Sequence, residues 1–276
     1  MQKSAAESWR LRVESHHEQS LKVMDESWRQ GDFWKNLAPM FRADPRRNDD
    51  EALNAISELI GSVSTVLDVG GGAGRFAIAL SLKCESVTVV DPSESMLEQL
   101  QEATNEAGQS NVASVHSEWE TAEIEPEDVV LCSHVVYGVA DIIPFIEKIN
   151  AHARRRVVLL SFVDSPQSNV AALWEPVHGE RRINLPAMPE LVNVLWEMDV
   201  YPSIRMLTST RAQSFESVDA ATEELSNRLF LAQDSPARQR LEAVIEDYLE
   251  STDEGWRVIG ARPVRQGVIW WDTESR

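Results

Sequence analysis

From Thr65 the chain reads Thr-Val-Leu-Asp-Val-Gly-Gly-Gly-Ala-Gly-Arg75 and continues straight into Phe76-Ala-Ile-Ala-Leu-Ser-Leu82. An apolar strand, a glycine-dense turn and an apolar-periodic helix thus follow one another directly. Val66, Leu67 and Val69 suit a strand buried on both faces, as in a parallel sheet. Glycines at 70, 72 and 74 let the backbone turn sharply and approach a ligand, since no Cβ stands in the way. In open α/β sheets such a turn lies at the carboxyl end of a strand, where ligands bind.

The glycine spacing separates two kinds of ligand. A nicotinamide dinucleotide fingerprint places its glycines as G-x-G-x-x-G, and here the last position of that frame is Arg75. A second apolar run, Ser86-Val-Thr-Val-Val-Asp91, ends on a carboxylate followed by Pro92 and Ser93. An acid about 20 residues beyond the loop is suited to the two hydroxyls of a ribose. Asp91 also fits a plain strand end, with Ser93 capping a helix over residues 94–105, and the two roles are compatible.

With Asp68 before the glycines, the strand-loop motif resembles the first motif of class I S-adenosylmethionine (SAM)-dependent methyltransferases, from about Val63 to Val163. The resemblance implies cofactor contacts at Asp68, Gly70, Gly72, Gly74, Asp91 and Pro92. It implies further contacts at Met96 against the adenine, at Glu118 with Trp119 on the adenine edge, and at the backbone of Ser133. Met96 is equally suited to the core, and Glu118 lies in an acidic stretch that fits a solvated loop. His134 and Tyr137 follow the fourth strand, residues 128–133, and would face the acceptor. His134 is the first choice of general base because an imidazole titrates near neutrality, with Tyr137 and His178 in reserve. S-adenosylhomocysteine (SAH) would be the product.

A fifth strand over residues 157–163 follows a basic turn, Arg154 to Arg156. Strands alternating with helices predict an α/β fold: a doubly wound, mostly parallel seven-stranded sheet with helices on both faces. Residues 1–60 read as an N-terminal helical cap, and residues 61–276 as the SAM-binding domain. Residues 164–202 and 211–252 are its helical elaborations, after strands five and six. Within the cap, residues 31–42 are expected over the cofactor pocket, with Trp34 suited to a cation–π contact or to simple packing. The tail is expected to supply a last, antiparallel strand at the sheet edge.

A formal net charge of -19 opposes binding to a phosphate backbone, which needs clustered Lys and Arg. Nucleic acid is therefore not an expected partner, and Cys132-Ser-His-Val135 lacks the N-P-P-Y-type tetrapeptide of many nucleic-acid and protein amide methylating families. Cys84 and Cys132 lack metal-ligand spacing and suit buried thiols in a reducing compartment, and His16-His17-Glu18 lacks the second histidine of a zinc motif. No metal is expected. No apolar run approaches the roughly 18 residues that a span needs, so a cytoplasmic protein without membrane contact is expected. A monomer or homodimer acting on a small molecule is the resulting expectation. A non-catalytic SAM- or SAH-binding regulatory or assembly protein, and less favourably an NAD-dependent oxidoreductase, are the alternatives.

Overall fold

A computed structural model describes residues 3–24, 38–62, 64–208 and 213–273. Its centre is a seven-stranded sheet, built from β1 (Thr65–Val69), β2 (Ser86–Asp91), β3 (Val112–His116), β4 (Glu127–Ser133), β5 (Ala153–Phe162), β6 (Ser203–Met206) and β9 (Gln266–Asp272). The spatial order is β3-β2-β1-β4-β5-β9-β6, parallel throughout β3 to β5, with β9 antiparallel to both of its neighbours. The order reverses beside β1, so its carboxyl end, and that of β4, open on the crevice where such sheets take ligands.

Alternation along β1 divides the core in two. Leu67 and Val69 point to one face, where they meet α1 (Ala5–Val23), α5 (Ile142–His152) and α7 (Met188–Glu197). Val66 points to the other, covered by α2 (Glu51–Ile60), α3 (Ala77–Ser81) and α4 (Glu94–Ala107). Side chains two apart on a strand share a face, and near-continuous apolar strands are what two covered faces require. The helix starts use the expected polar caps: Asp50 accepts from the Leu53 amide, and Ser93 from the Met96 amide.

A third core lies outside the sheet. There α6 (Ala171–His178) packs with α8 (Val218–Arg228), α9 (Pro236–Val244) and the hairpin β7 (Leu249–Thr252) and β8 (Gly255–Val258). The two elaborations therefore share one interior, with Leu173, Trp174, Leu225, Leu229 and Leu241 buried inside it.

Two local expectations are corrected. The closing antiparallel strand lies between β5 and β6, not at the edge, because Val268 and Ile269 are apolar on both faces and need cover. The short β6, exposed along its whole length, takes the edge, and Trp256 belongs to the separate hairpin. Arg154 to Arg156 are not a turn but the start of β5. Arg155 donates to the Ile60 carbonyl and Arg156 to the Leu59 carbonyl, so the two cations close the carboxyl end of α2, where a positive charge is favourable.

Candidate functional site: the glycine turn and its neighbours

The turn after β1 is held by close packing. Gly70, Gly72 and Gly74 all have positive φ. A Cβ on Gly70 would stand 2.4 Å from Val135, and one on Gly74 2.4 Å from Leu100, so these two glycines are fixed by shape as well as by conformation. Gly72 differs, since a Cβ there would meet only Met96 Sδ at 3.6 Å and Asp91 Oδ2 at 3.9 Å. That position is the open floor of the turn.

Two buried carboxylates flank it. Asp91 accepts from the Gly72 amide through Oδ2 and from the Ser93 amide through Oδ1, both at 2.9 Å. Asp68 is fully buried, and its Oδ1 has no hydrogen-bond partner. A buried acceptor without a donor costs on the order of 1–3 kcal/mol. Burial, and then the nearby charge of Asp91, raise the Asp68 carboxyl to about 7.

The remaining residues named for the cofactor lie around these acids. The Pro92 carbonyl is bound by His116 Nε2 at 2.9 Å, and Met96 is buried with Ala38 and Ala73. Ala38 begins a turn over Ala38–Phe41 that reaches the glycine loop, whereas Trp34 and residues 31–37 lie outside the described residues. Ser117 donates its amide to the Asp91 carbonyl at 3.2 Å, which brings the Glu118 loop to the end of β2, with Glu118 itself exposed.

Trp119 is a correction. It is buried on the α5 face, edge-on to Phe145 and His152, with its indole directed at the Phe145 carbonyl, because so large an apolar ring is held by the core beneath the loop. Lys148, which the sequence did not single out, donates to the carbonyls of Trp119, Glu120 and Ala122 at 2.6–3.1 Å. One lysine on an otherwise apolar helix face was its only signal.

At the end of β4 the backbone is strained: Ser133 leads into His134, whose φ is 59°. The His134 ring stacks on Phe162 at 4.0 Å and bonds the Tyr137 hydroxyl through Nδ1 at 3.0 Å. Gln266 of β9 also acts on that ring, raising its basicity, an influence unforeseen from sequence because β9 is remote in the chain. The Tyr137 oxygen accepts from the Phe162 amide at 2.6 Å and from Ser161 Oγ at 3.3 Å, so its own proton points to His134. Burial, with the charge of Arg75, lowers His134 to about 4, and burial raises Tyr137 to about 12. Both groups are neutral at pH 7 and consumed by the fold. His178 lies elsewhere, in the third core, stacked near Trp174 and bonded to the Leu229 carbonyl.

Residues 67–159 match the family described as a methyltransferase domain. That stretch, from within β1 to within β5, holds the glycine turn and both buried acids. An uncharacterised protein of Haemophilus influenzae is 26% identical over 224 residues, with 76% of each chain covered. The YcgJ protein of Bacillus subtilis is similar in structure at a TM-score of 0.56 and 15% identity, with 80% of this chain and 97% of that one covered. The magnesium protoporphyrin IX methyltransferase of Synechocystis, solved with bound SAH, is similar at a TM-score of 0.50 and 16% identity, over 64% of this chain and 90% of that one. These likenesses are of fold. The orphaned Asp68 oxygen and the open floor at Gly72 fit a polar, nucleoside-bearing group.

Proposed function

We propose that this chain methylates a small-molecule acceptor. The observation that carries the reading is the pairing of a glycine turn with two buried acids in a chain whose net charge of -19 opposes binding to a phosphate backbone. SAM, when bound, would supply an electrophilic methyl carbon open to in-line attack by the acceptor, with the sulfur of SAH as leaving group. Asp91 would accept from the ribose hydroxyls, and Asp68 would receive a donor from the methionine half. Gly70, Gly72 and Gly74 would admit the cofactor, Met96 would face the adenine and Glu118 its edge, and the Ser133 backbone would border the reacting end.

His134 and Tyr137 act here as positioning residues. Their shared hydrogen bond, tied to the Phe162 amide, locks the ends of β4 and β5 together, and a buried imidazole lowered to about 4 is a poor proton acceptor. An H134Q variant is expected to keep the shape of the pH–rate profile, and disappearance of an ionisation near neutrality would restore His134 as base. With SAM held by the domain, rate enhancement comes chiefly from alignment of the acceptor.

The organisation that supports this division of labour is a cap over residues 1–60 and a cofactor domain over residues 61–276, with residues 164–202 and 211–252 as helical elaborations. No helix among the described residues is long and apolar enough to cross a membrane. A cytoplasmic monomer or homodimer is the setting we infer. Mass spectrometry of a metabolite extract incubated with the protein and isotope-labelled SAM tests the reading. A labelled small product supports it. Binding of SAM without any labelled product favours the non-catalytic binder, the reading that the occupied His134, Tyr137 and His178 rings support.

A further inference from the structure

The chain has six histidines, and five are committed to the fold by ring hydrogen bonds. His17 is the exception: its ring nitrogens make no hydrogen bond among the described residues. It projects from α1 with Nε2 3.7 Å from the point where a Cβ on Gly138 would stand. Gly138 closes the short turn that follows β4, so this ring sits at the carboxyl edge of the sheet beside the His134–Tyr137 pair.

The charge of Arg182, held on the same helix through His16, Gln19 and Ser20, reaches this ring. A guanidinium has five N–H donors. In Arg182 the four terminal ones are taken, by the His16 carbonyl (3.1 Å), Gln19 Oε1 (3.5 Å), Ser20 Oγ (2.6 Å) and His16 Nε2 (2.7 Å). Its face lies 3.7 Å from the Trp174 ring centre, which fixes the plane from the third core. The cage is itself braced, since Gln19 Oε1 also accepts from the Ile183 amide and His16 Nδ1 bonds the Ile183 carbonyl. Among the described residues no carboxylate comes within ion-pair distance of Arg182, although the chain has 45 acids to 26 Lys and Arg. A half-buried cation is ordinarily paired, because desolvation without a counter-charge is costly. Burial indeed lowers Arg182 to about 10, and the more distant Glu180 offsets only part of that.

We propose that His17 and Arg182 form the acceptor subsite, and that the acceptor carries a carboxylate. This rests on the methyl-transfer reading above and names the class of its acceptor. The free Arg182 Nε–H and an imidazole N–H together offer two donors, which suits a planar monoanion. A phosphate would need more donors than remain. Arg182 supplies the charge, and His17 sets the group against the turn that borders the cofactor.

The test uses the full chain saturated with SAH, titrated by ligand-observed NMR with benzoate and, in parallel, with its neutral isostere benzamide. Wild type is expected to bind benzoate at least tenfold more tightly than benzamide. R182Q is expected to lose that preference, R182K to recover part of it, and H17F to weaken benzoate severalfold. Equal binding of the two probes by wild type, or unchanged benzoate binding by R182Q, overturns the proposal. SAH binding by each variant reports folding. If R182Q loses SAH binding, the wild-type and R182K comparison of the two probes decides alone. Failure of wild type to bind SAH at all contradicts the methyl-transfer reading instead, so the two failures are distinct.

Discussion

The sheet's cofactor corner and the third core are both well packed, but they are organised by opposite means. Around the glycine turn every essential neighbour comes from a strand end or the helix after it: Asp68 precedes the turn, Asp91 ends β2, and Met96 lies one turn into α4. The third core instead brings together segments far apart in the chain, from Leu173 to Val258, chiefly through apolar contact. In the first region the polar groups gather about a turn open to a ligand, and in the second they tie helices together, as His178 does to the Leu229 carbonyl and Arg240 to the Val177 carbonyl. The glycine turn and the third core are thus built from different segments and should be separable by mutation.

Mutations should separate them. The largest effect is expected at Gly74, where alanine would place a Cβ 2.4 Å from Leu100 in a left-handed backbone. G74A should lose both cooperative melting and SAH binding. G72A, with no contact under 3.6 Å, should stay folded and weaken SAH, measured by circular dichroism and calorimetry. Next comes L225A in the third core, expected to cost about 3 kcal/mol in denaturant unfolding by leaving a cavity. Its SAH affinity should change by less than about twofold if the regions are independent. A large loss would merge them.

D91A is expected to weaken SAH by about 2 kcal/mol, roughly 30-fold, from lost charge-assisted hydrogen bonds, and to lower stability as well, since the Gly72 and Ser93 amides lose their acceptor. A last expected effect is electrostatic and is spread over about three pH units. The Asp68 carboxyl is raised from 3.8 to about 7 in the native protein, so the folded state keeps a proton that the unfolded state has released. Stability from this group is therefore complete below pH 3.8 and is lost as pH rises to about 7, at no more than about 1.4 kcal/mol per pH unit. D68N should flatten that decline in melting temperature. An unchanged pH profile would show that Asp68 is ionised throughout.

The same contrast explains what the sequence disclosed. Strands β1, β2 and β4 are local apolar runs with glycine or acid punctuation, so their existence, and the parallel sheet, were legible from composition and spacing. Trp119 was misread because an aromatic beside an acid looks the same whether it faces a ligand or the core, and only α5 decides which. The place of β9 was hidden since sheet order is set by pairing partners far away in the chain. His17 and Arg182 carried no motif at all. Their meaning depends on α1 crossing above the insertion after β5, a tertiary fact without a periodic signal.

The central claim is that the glycine turn with Asp68 and Asp91 binds SAM. Parallel calorimetric titrations of the wild-type chain with SAH and with NADH, repeated on D91A, test it most directly. Saturable binding of SAH to wild type, weakened in D91A, with no heat from NADH, is the predicted result. Saturable binding of NADH with none of SAH would contradict it.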